Sequence, residues 1–351
     1  MQNSEKMCER EEKEMFDIRI LNQEQIKPIV SVKDAIEAVE QVYCLKAEGK
    51  TSIWPLVTYD FEVGVSDMDI KSGYIGGLNI FGMKSVSYFS KNVDIGLPNL
   101  IGILSIYDAK TGVPLGIMDA SYITCLRTGA AGALGIKHLA RKDAARMTMI
   151  GAGKQALFQM AAALTVRPNI ERISIYDGLS DENAEYVAKN AVNMLSELGV
   201  DASSVTFEAV KNLENTIRDS DIIVTATPSR KPIVMNQWVK PGTHFSCVGS
   251  DVAGKQEIDE NILPRTKIYV DDITQCINVG EIEMGIKKNV ISTDDIQGEI
   301  GEVIIGEKEG RKSEEEITLY DTTGIAIQDL VTAKKVLEIA EQNNIGTIVE
   351  I

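Results

Sequence analysis

Apolar residues in SVKDAIEAVEQVYCLKAEGK (31–50) recur at three- and four-residue spacing and stop at a glycine, which predicts an amphipathic helix. From about residue 53 to 118 the spacing shortens. PLVTYDFEV, GYIGGLNIFGMKSVSYFS and LIGILSIYDAKTGVPLGIMD read as strands separated by Gly, Asn, Pro and Asp turns, with DAKTG as a hairpin turn. Asp119 then caps ASYITCLRTGAAGALGIKHLARKD, a long helix whose Gly and Ala residues let a neighbouring backbone come close, so it is expected between domains. From residue 145 strand and helix alternate: ARMTMIG, KQALFQMAAALTVR, ERISIYD, DENAEYVAKNAVNMLSELG, then SVTFEAV, DIIVTATPS, THFSCVGS and KIYVDD as strands. That alternation predicts a parallel, doubly wound α/β sheet. GEKEGRKSEEE reads as a charged loop, and GIAIQDLVTAKKVLEIAEQN as a last amphipathic helix returning to the first domain.

Bulk properties narrow the classes without naming one. A length of 351 residues suits two domains. With 44% hydrophobic and 25% charged residues the composition is that of an ordinary soluble protein, and no window reaches the roughly 18 apolar residues of a membrane span. MQNSEKMCEREEKEM has no apolar segment, so residues 1–14 read as a charged tail and not a secretory signal. The net charge of -16 argues against a nucleic-acid partner. Five scattered cysteines without a C-x-x-C pair suit free thiols in a reducing cytoplasm. The two histidines, His138 and His244, lie too far apart in sequence to suggest a metal site or a His-based dyad. Acid–base work therefore falls to Asp, Glu, Lys or Tyr.

The clearest chemical signal is Gly151-Ala152-Gly153-Lys154-Gln155-Ala156, which follows a strand and opens a helix. The first glycine permits a tight turn, the second lets a pyrophosphate approach the backbone, and the helix amides receive phosphate. Asp177 ends the next strand, where a carboxylate accepts the ribose hydroxyls and repels a 2'-phosphate; this favours NAD over NADP, a turn cap being the plainer reading. Lys84 shares a strand face with Val86 and Tyr88, so it either snorkels at an edge or enters a site. Arg127, in a small-residue helix, suits a bidentate carboxylate or phosphate contact, or an interdomain ion pair. Asp251 directly follows the strand THFSCVGS, at the end where ligands of open α/β sheets gather, and can exchange a proton with a substrate amine; a turn cap is its alternative. His244 starts that strand at the wrong end, and neither it nor His138 is given a role. Two cations, one acid and a nicotinamide together fit an amino acid.

These stretches, with TGVPLGIMDASYITCLRTGAAGALG, HFSCVGSDVAGKQEID, GEVIIGEKEGR and DTTGIAIQD in the same order, resemble the ornithine cyclodeaminase/μ-crystallin family, which includes archaeal-type alanine dehydrogenases and ketimine reductases. The resemblance implies a Rossmann domain (129–319) inserted into a discontinuous α+β substrate-binding and dimerisation domain (15–128 plus 320–351), and a homodimer. It implies Lys84 and Arg127 as ligands of the substrate carboxylate, with Lys84 also counted in the catalytic set, Asp251 as the catalytic acid–base, and Thr323 beside the substrate. Arg127, Asn99, Gly151, Ala152, Gly153, Lys154, Gln155, Asp177, Thr227, Val248, Gly249, Lys255 and Thr322 are implied to line NAD. No metal is implied.

The chain departs from the family pattern at two places. Val57 stands where many relatives carry a basic carboxylate ligand, and Lys71-Ser72 replaces a Met-Pro pair. Lys71 is therefore expected to supply the missing cation, and Asp69 falls near where cyclodeaminases bind a distal amine. The leading expectation is an NAD-dependent ornithine cyclodeaminase that forms L-proline and ammonia in the cytoplasm. The alternatives are an amino-acid (alanine-type) dehydrogenase, a cyclic imine or ketimine reductase, and a non-catalytic crystallin-like binding protein.

Overall fold

The computed structural model describes residues 15–351, so the charged tail read over residues 1–14 lies outside the described residues. Two large sheets organise the chain. The first is mainly antiparallel: Ser66–Ile75, Ile80–Phe89, Leu100–Asp108 and Pro114–Asp119 pair in sequence order, with Thr51–Ile53 and Val57–Glu62 both on Ser66–Ile75. Asp17–Leu21 joins parallel to Pro114–Asp119, and Thr347–Glu350 pairs antiparallel with Asp17–Leu21. The C-terminal segment thus closes the sheet that the N-terminal one opens.

Period-two alternation gives this sheet two different faces. Leu104 and Ile106 are buried under the helices Val32–Ala47, Ala120–Leu139 and Ala326–Gln342, while Ile101 and Ile103 point to solvent. Ser31 and Asp34 form a capping box that starts the first of these helices.

The second sheet is parallel throughout, in the order Thr206–Ala209, Arg172–Tyr176, Arg146–Ile150, Ile222–Thr225, His244–Cys247, Ile317–Asp321, Thr266–Val270, Ile296–Glu299. The strand order reverses between Arg146–Ile150 and Ile222–Thr225, and ligands of such sheets gather at that crevice. Ala120–Leu139, capped by Asp119, is buried along nearly its whole length between the two sheets. Its small residues are required there: a Cβ on Gly129 would lie 2.5 Å from the Phe158 carbonyl. His244 is fully enclosed between Thr318 Oγ1 at 2.9 Å and Ser246 Oγ at 3.2 Å, and burial holds its pKa well below the ordinary imidazole value. It is a neutral core residue.

The short helices Leu213–Asp219, Ile273–Val279 and Glu283–Lys287, and the parallel pair Arg230–Val234 with Gln256–Ile258, add to the expected elements. Each is too short to show a hydrophobic period of its own.

Candidate active site

The glycine turn occupies the crevice. Gly151 has φ +100°, and a Cβ on it would lie 2.7 Å from the Ala226 carbonyl, so the turn requires glycine. Gly153 begins the helix Lys154–Val166 with no side-chain cap, and a Cβ there would meet nothing within 4 Å. The first helix amides therefore face open space. Lys154 is exposed beside them, and the buried Oε1 of Gln155 has no hydrogen-bond partner. An uncapped helix start, an open approach and an orphaned acceptor fit a dinucleotide pyrophosphate and its hydroxyls. Asp177 caps its own turn, the plainer of its two readings, through the amides of Leu179 (2.9 Å) and Ser180 (3.2 Å), and its Oδ2 accepts from Ala152 N at 3.0 Å. That last bond pins the glycine turn to the second strand, and a carboxylate retains lone pairs for a ribose.

The other wall of the crevice depends on a residue the sequence reading missed. Buried Glu257 accepts from Thr225 Oγ1, Thr227 N and Thr227 Oγ1, each at 2.7 Å, and from Gly249 N at 3.2 Å. One carboxylate thereby ties together the two strand-end loops that carry Thr227, Val248 and Gly249. Burial raises its pKa, against these four hydrogen bonds. Val248 N extends the ladder to Thr225 O.

Lys84 and Arg127 meet under the cleft floor, only 4% and 6% exposed. Lys84 Nζ donates to Asp329 Oδ1 at 2.9 Å and Arg127 Nε to the same oxygen at 3.1 Å. Arg127 also bonds Gln328 Oε1 at 3.0 Å and stacks on Gly324, where φ is +81° and a Cβ would strike the guanidinium at 2.4 Å. Lys71 is the register partner of Lys84 on the neighbouring strand, and its Nζ donates to Gly324 O at 2.9 Å. Lys71 thus joins the two expected cations, whereas Asp329, quoted within DTTGIAIQD, had no distinct sequence signal of its own.

Lys71 and Asp251 both line one cleft of about 840 Å³, together with Asp69, Thr323, Trp54 and Leu56. Asp251 is half exposed and pairs with Lys255 Nζ at 2.5 Å, which also reaches Gly249 O at 3.2 Å. Thr323 Oγ1 donates to Gln275 Oε1 at 3.1 Å at the cleft edge, while the Thr322 hydroxyl is committed to buried Asp271 at 2.7 Å. Asn99 is the expected residue that the chain does not bring in. It lies in an exposed turn whose carbonyl bonds Phe89 N, at the strand end far from the Lys84–Leu104 register pair. No cluster suited to a metal occurs among the described residues, and none of their helices is long and apolar enough to cross a membrane.

Comparison with known proteins identifies the family and the fold. The sequence profile of the ornithine cyclodeaminase/mu-crystallin family matches residues 17–344. An alanine dehydrogenase of Archaeoglobus fulgidus is 41% identical over 328 residues, 93% of this chain and 97% of that protein. The structure of an archaeal alanine dehydrogenase dimer with bound NAD superposes with a TM-score of 0.85 at 40% identity, over 95% of this chain and 99% of that one. The iminosuccinate reductase of Paracoccus denitrificans, in complex with NAD+, superposes with a TM-score of 0.88 at 32% identity, over 96% and 100%. These relatives favour the dehydrogenase and imine-reductase alternatives over the cyclodeaminase expectation. The chain belongs to the ornithine cyclodeaminase/mu-crystallin family of NAD-dependent enzymes.

Proposed function

We propose that this protein is an NAD-dependent oxidoreductase acting at the α-carbon of a small amino acid, as an alanine-type dehydrogenase or a reductase of the corresponding imine. The observation that carries the reading is the presence of both charges in one cleft, lined by Asp251 and by Lys71, the register partner of buried Lys84. Gly151, Gly153 and the helix amides would hold the pyrophosphate, and Asp177 the adenosine ribose. When bound there, the nicotinamide exchanges hydride with the substrate α-carbon.

The residues of the chain supply the rest. Lys71, with Lys84 and Arg127 beneath it, draws the substrate carboxylate to the cleft floor and fixes which face of the α-carbon is presented. Asp251 lies on the amine side. In the reductive direction it donates a proton to the imine nitrogen, and in the oxidative direction it takes that proton back. Its half-exposed position allows it to re-equilibrate with water between turnovers. The outward sheet face carrying Tyr59, Phe61, Ile101 and Ile103 is apolar, which supports the expected homodimer.

The test is a panel of amino acids, keto acids and imino acids assayed with NAD+ or NADH, scoring ammonia and nicotinamide absorbance separately. Net NADH formation or consumption in step with turnover is expected. Asp69 in the same cleft favours a second reading, a cyclodeaminase that binds a distal amine. Proline and ammonia from ornithine with no net NADH would establish that one instead.

A further inference from the structure

Asp329 has no task in the chemistry above, yet it is completely enclosed at the centre of the carboxylate-binding residues. The helix Ala326–Gln342 lays it against the sheet, where its Oδ1 receives both Lys84 Nζ and Arg127 Nε. Its Oδ2 is buried without any partner. Lys71 stands directly across the strand pair from Lys84, so three elements converge three cations on one acid. Lys84 and Arg127 are closed to water, and with Lys71 beside them such charges repel strongly unless an internal anion compensates.

We propose, on the functional reading above, that Asp329 is a positioning residue: a permanent counter-ion that keeps Lys84 as an ammonium beside Arg127, so that a substrate carboxylate meets preformed donors. The groups facing Lys84 fit this. From Ala120–Leu139 it meets Arg127 and the Thr124 hydroxyl, from Ser66–Ile75 Lys71, and from Ala326–Gln342 Asp329. Burial lowers Lys84 to about 8, Arg127 and Lys71 push the same way, and Asp329 opposes them. Burial acts to raise Asp329 itself, but Arg127 and Lys84 outweigh it and hold the carboxyl below its ordinary value. The bland alternative is a buried ion pair that merely fastens helix to sheet. It predicts lost stability and an alkaline limb of kcat/KM that does not follow the Lys84 titration.

Lysines labelled at 13Cε in the full chain, read beside the pH profile of kcat/KM, separate the two, with the Lys84 signal assigned by its loss in Lys84→Met. In the unsubstituted protein the Lys84 signal should titrate near 8. Asp329→Asn should lower that midpoint by about one pH unit or more, and the alkaline limb of kcat/KM should move down with it. A midpoint unmoved within about 0.3 units, well below the shift a lost counter-ion gives, or a limb that does not follow it, overturns the proposal. If Asp329→Asn does not fold, Arg127→Gln leaves the shared oxygen to Lys84 alone: the midpoint must rise and the alkaline limb of kcat/KM must rise with it, and a limb that stays overturns the proposal equally. Should the unsubstituted protein turn over no member of the substrate panel, the functional reading fails, while the lysine titration still decides whether Asp329 holds the charge on Lys84.

Discussion

The two halves of the proposed site are built in opposite ways. Lys84, Arg127 and Asp329 sit on a strand and two long helices, closed off from solvent, each the hydrogen-bond partner of another. Asp251 sits on a loop with its side chain 48% exposed. The loop is nonetheless held: Ser250 Oγ donates to buried Glu281 at 2.6 Å, and Gly254 N to buried Glu283 at 2.6 Å. Recognition charge is thus part of the core, where removing one partner strands another. The proposed proton-transfer group projects from a fixed loop, where its replacement should leave the packing intact. Activity and stability should therefore come apart at Asp251 and fall together at Arg127.

Asp251→Asn tests the first half. It should lower kcat by roughly 10²–10⁴, the usual range for a lost general acid–base group. Its unfolding midpoint in urea should correspond to a change within about 0.5 kcal/mol, as for other exposed substitutions. A loss of stability as large as that of Arg127→Met would break the comparison. Arg127→Met, in turn, should lower kcat/KM by about 10²-fold through a lost charged hydrogen bond. It should also cost roughly 3–5 kcal/mol of stability, because Asp329 keeps a buried charge with one partner fewer. Full stability in Arg127→Met would show that this buried cluster is not structural. Gly151→Ala concerns the cofactor side alone. A Cβ 2.7 Å from Ala226 O at φ +100° must push the turn open, and NADH affinity measured by fluorescence titration should fall about tenfold, within the 1–3 kcal/mol range of strain at such positions. Unchanged affinity would detach this turn from the cofactor.

Legibility in the sequence followed the length of the physical signal. The parallel sheet and the glycine turn were readable because strand–helix alternation and G-x-G-x-x-A each extend over several positions. Lys84 and Arg127 stand out as charges in an apolar or small-residue setting, and Asp251 by its place directly after a strand of the parallel sheet. Glu257, Glu281 and Asp329 do not, since a buried carboxylate reads like any exposed one until its partners, dozens to hundreds of residues away, are known. Asp177 shows a related ambiguity: capping a turn and waiting for a ribose use the same carboxylate, and the sequence does not separate them. The preference for one substrate was the least legible. The proposed determinants Asp69 and Lys71 share a face with Thr58 by strand register, and one residue of slip would turn them away, whereas Val57 pairs with Ile70 on the opposite face.

Removal of Lys71 comes next in size. Lys71→Ala leaves Lys84 and Arg127 in place and takes away the cation open to the cleft, so KM should rise several-fold, about the 1 kcal/mol of a partly exposed charged contact. A distant surface Lys→Ala serves as the reference, and an equal KM change in both would remove Lys71 from the site.

The pH dependence of the buried half sharpens the comparison further, because activity and stability should move in opposite directions. Lys84 titrates near 8 in the folded protein, chiefly because it is buried, against 10.5 for an ordinary lysine. Between those two values the unfolded chain binds more protons than the folded one, so folding stability from this group rises with pH across that window. Below about 8 the charged, buried ammonium is a fixed cost to folding. On the proposed function substrate binding needs that same ammonium, so kcat/KM should fall as pH climbs through 8 while the urea midpoint gains. Other thiols, phenols and lysines titrate in the same range, and for that reason the stability gain is read as the difference from Lys84→Met, in which this increment is missing. Parallel pH curves for the two proteins would mean that Lys84 carries the same charge folded and unfolded. The carboxylate-binding half of the site would then be as open to water as Asp251.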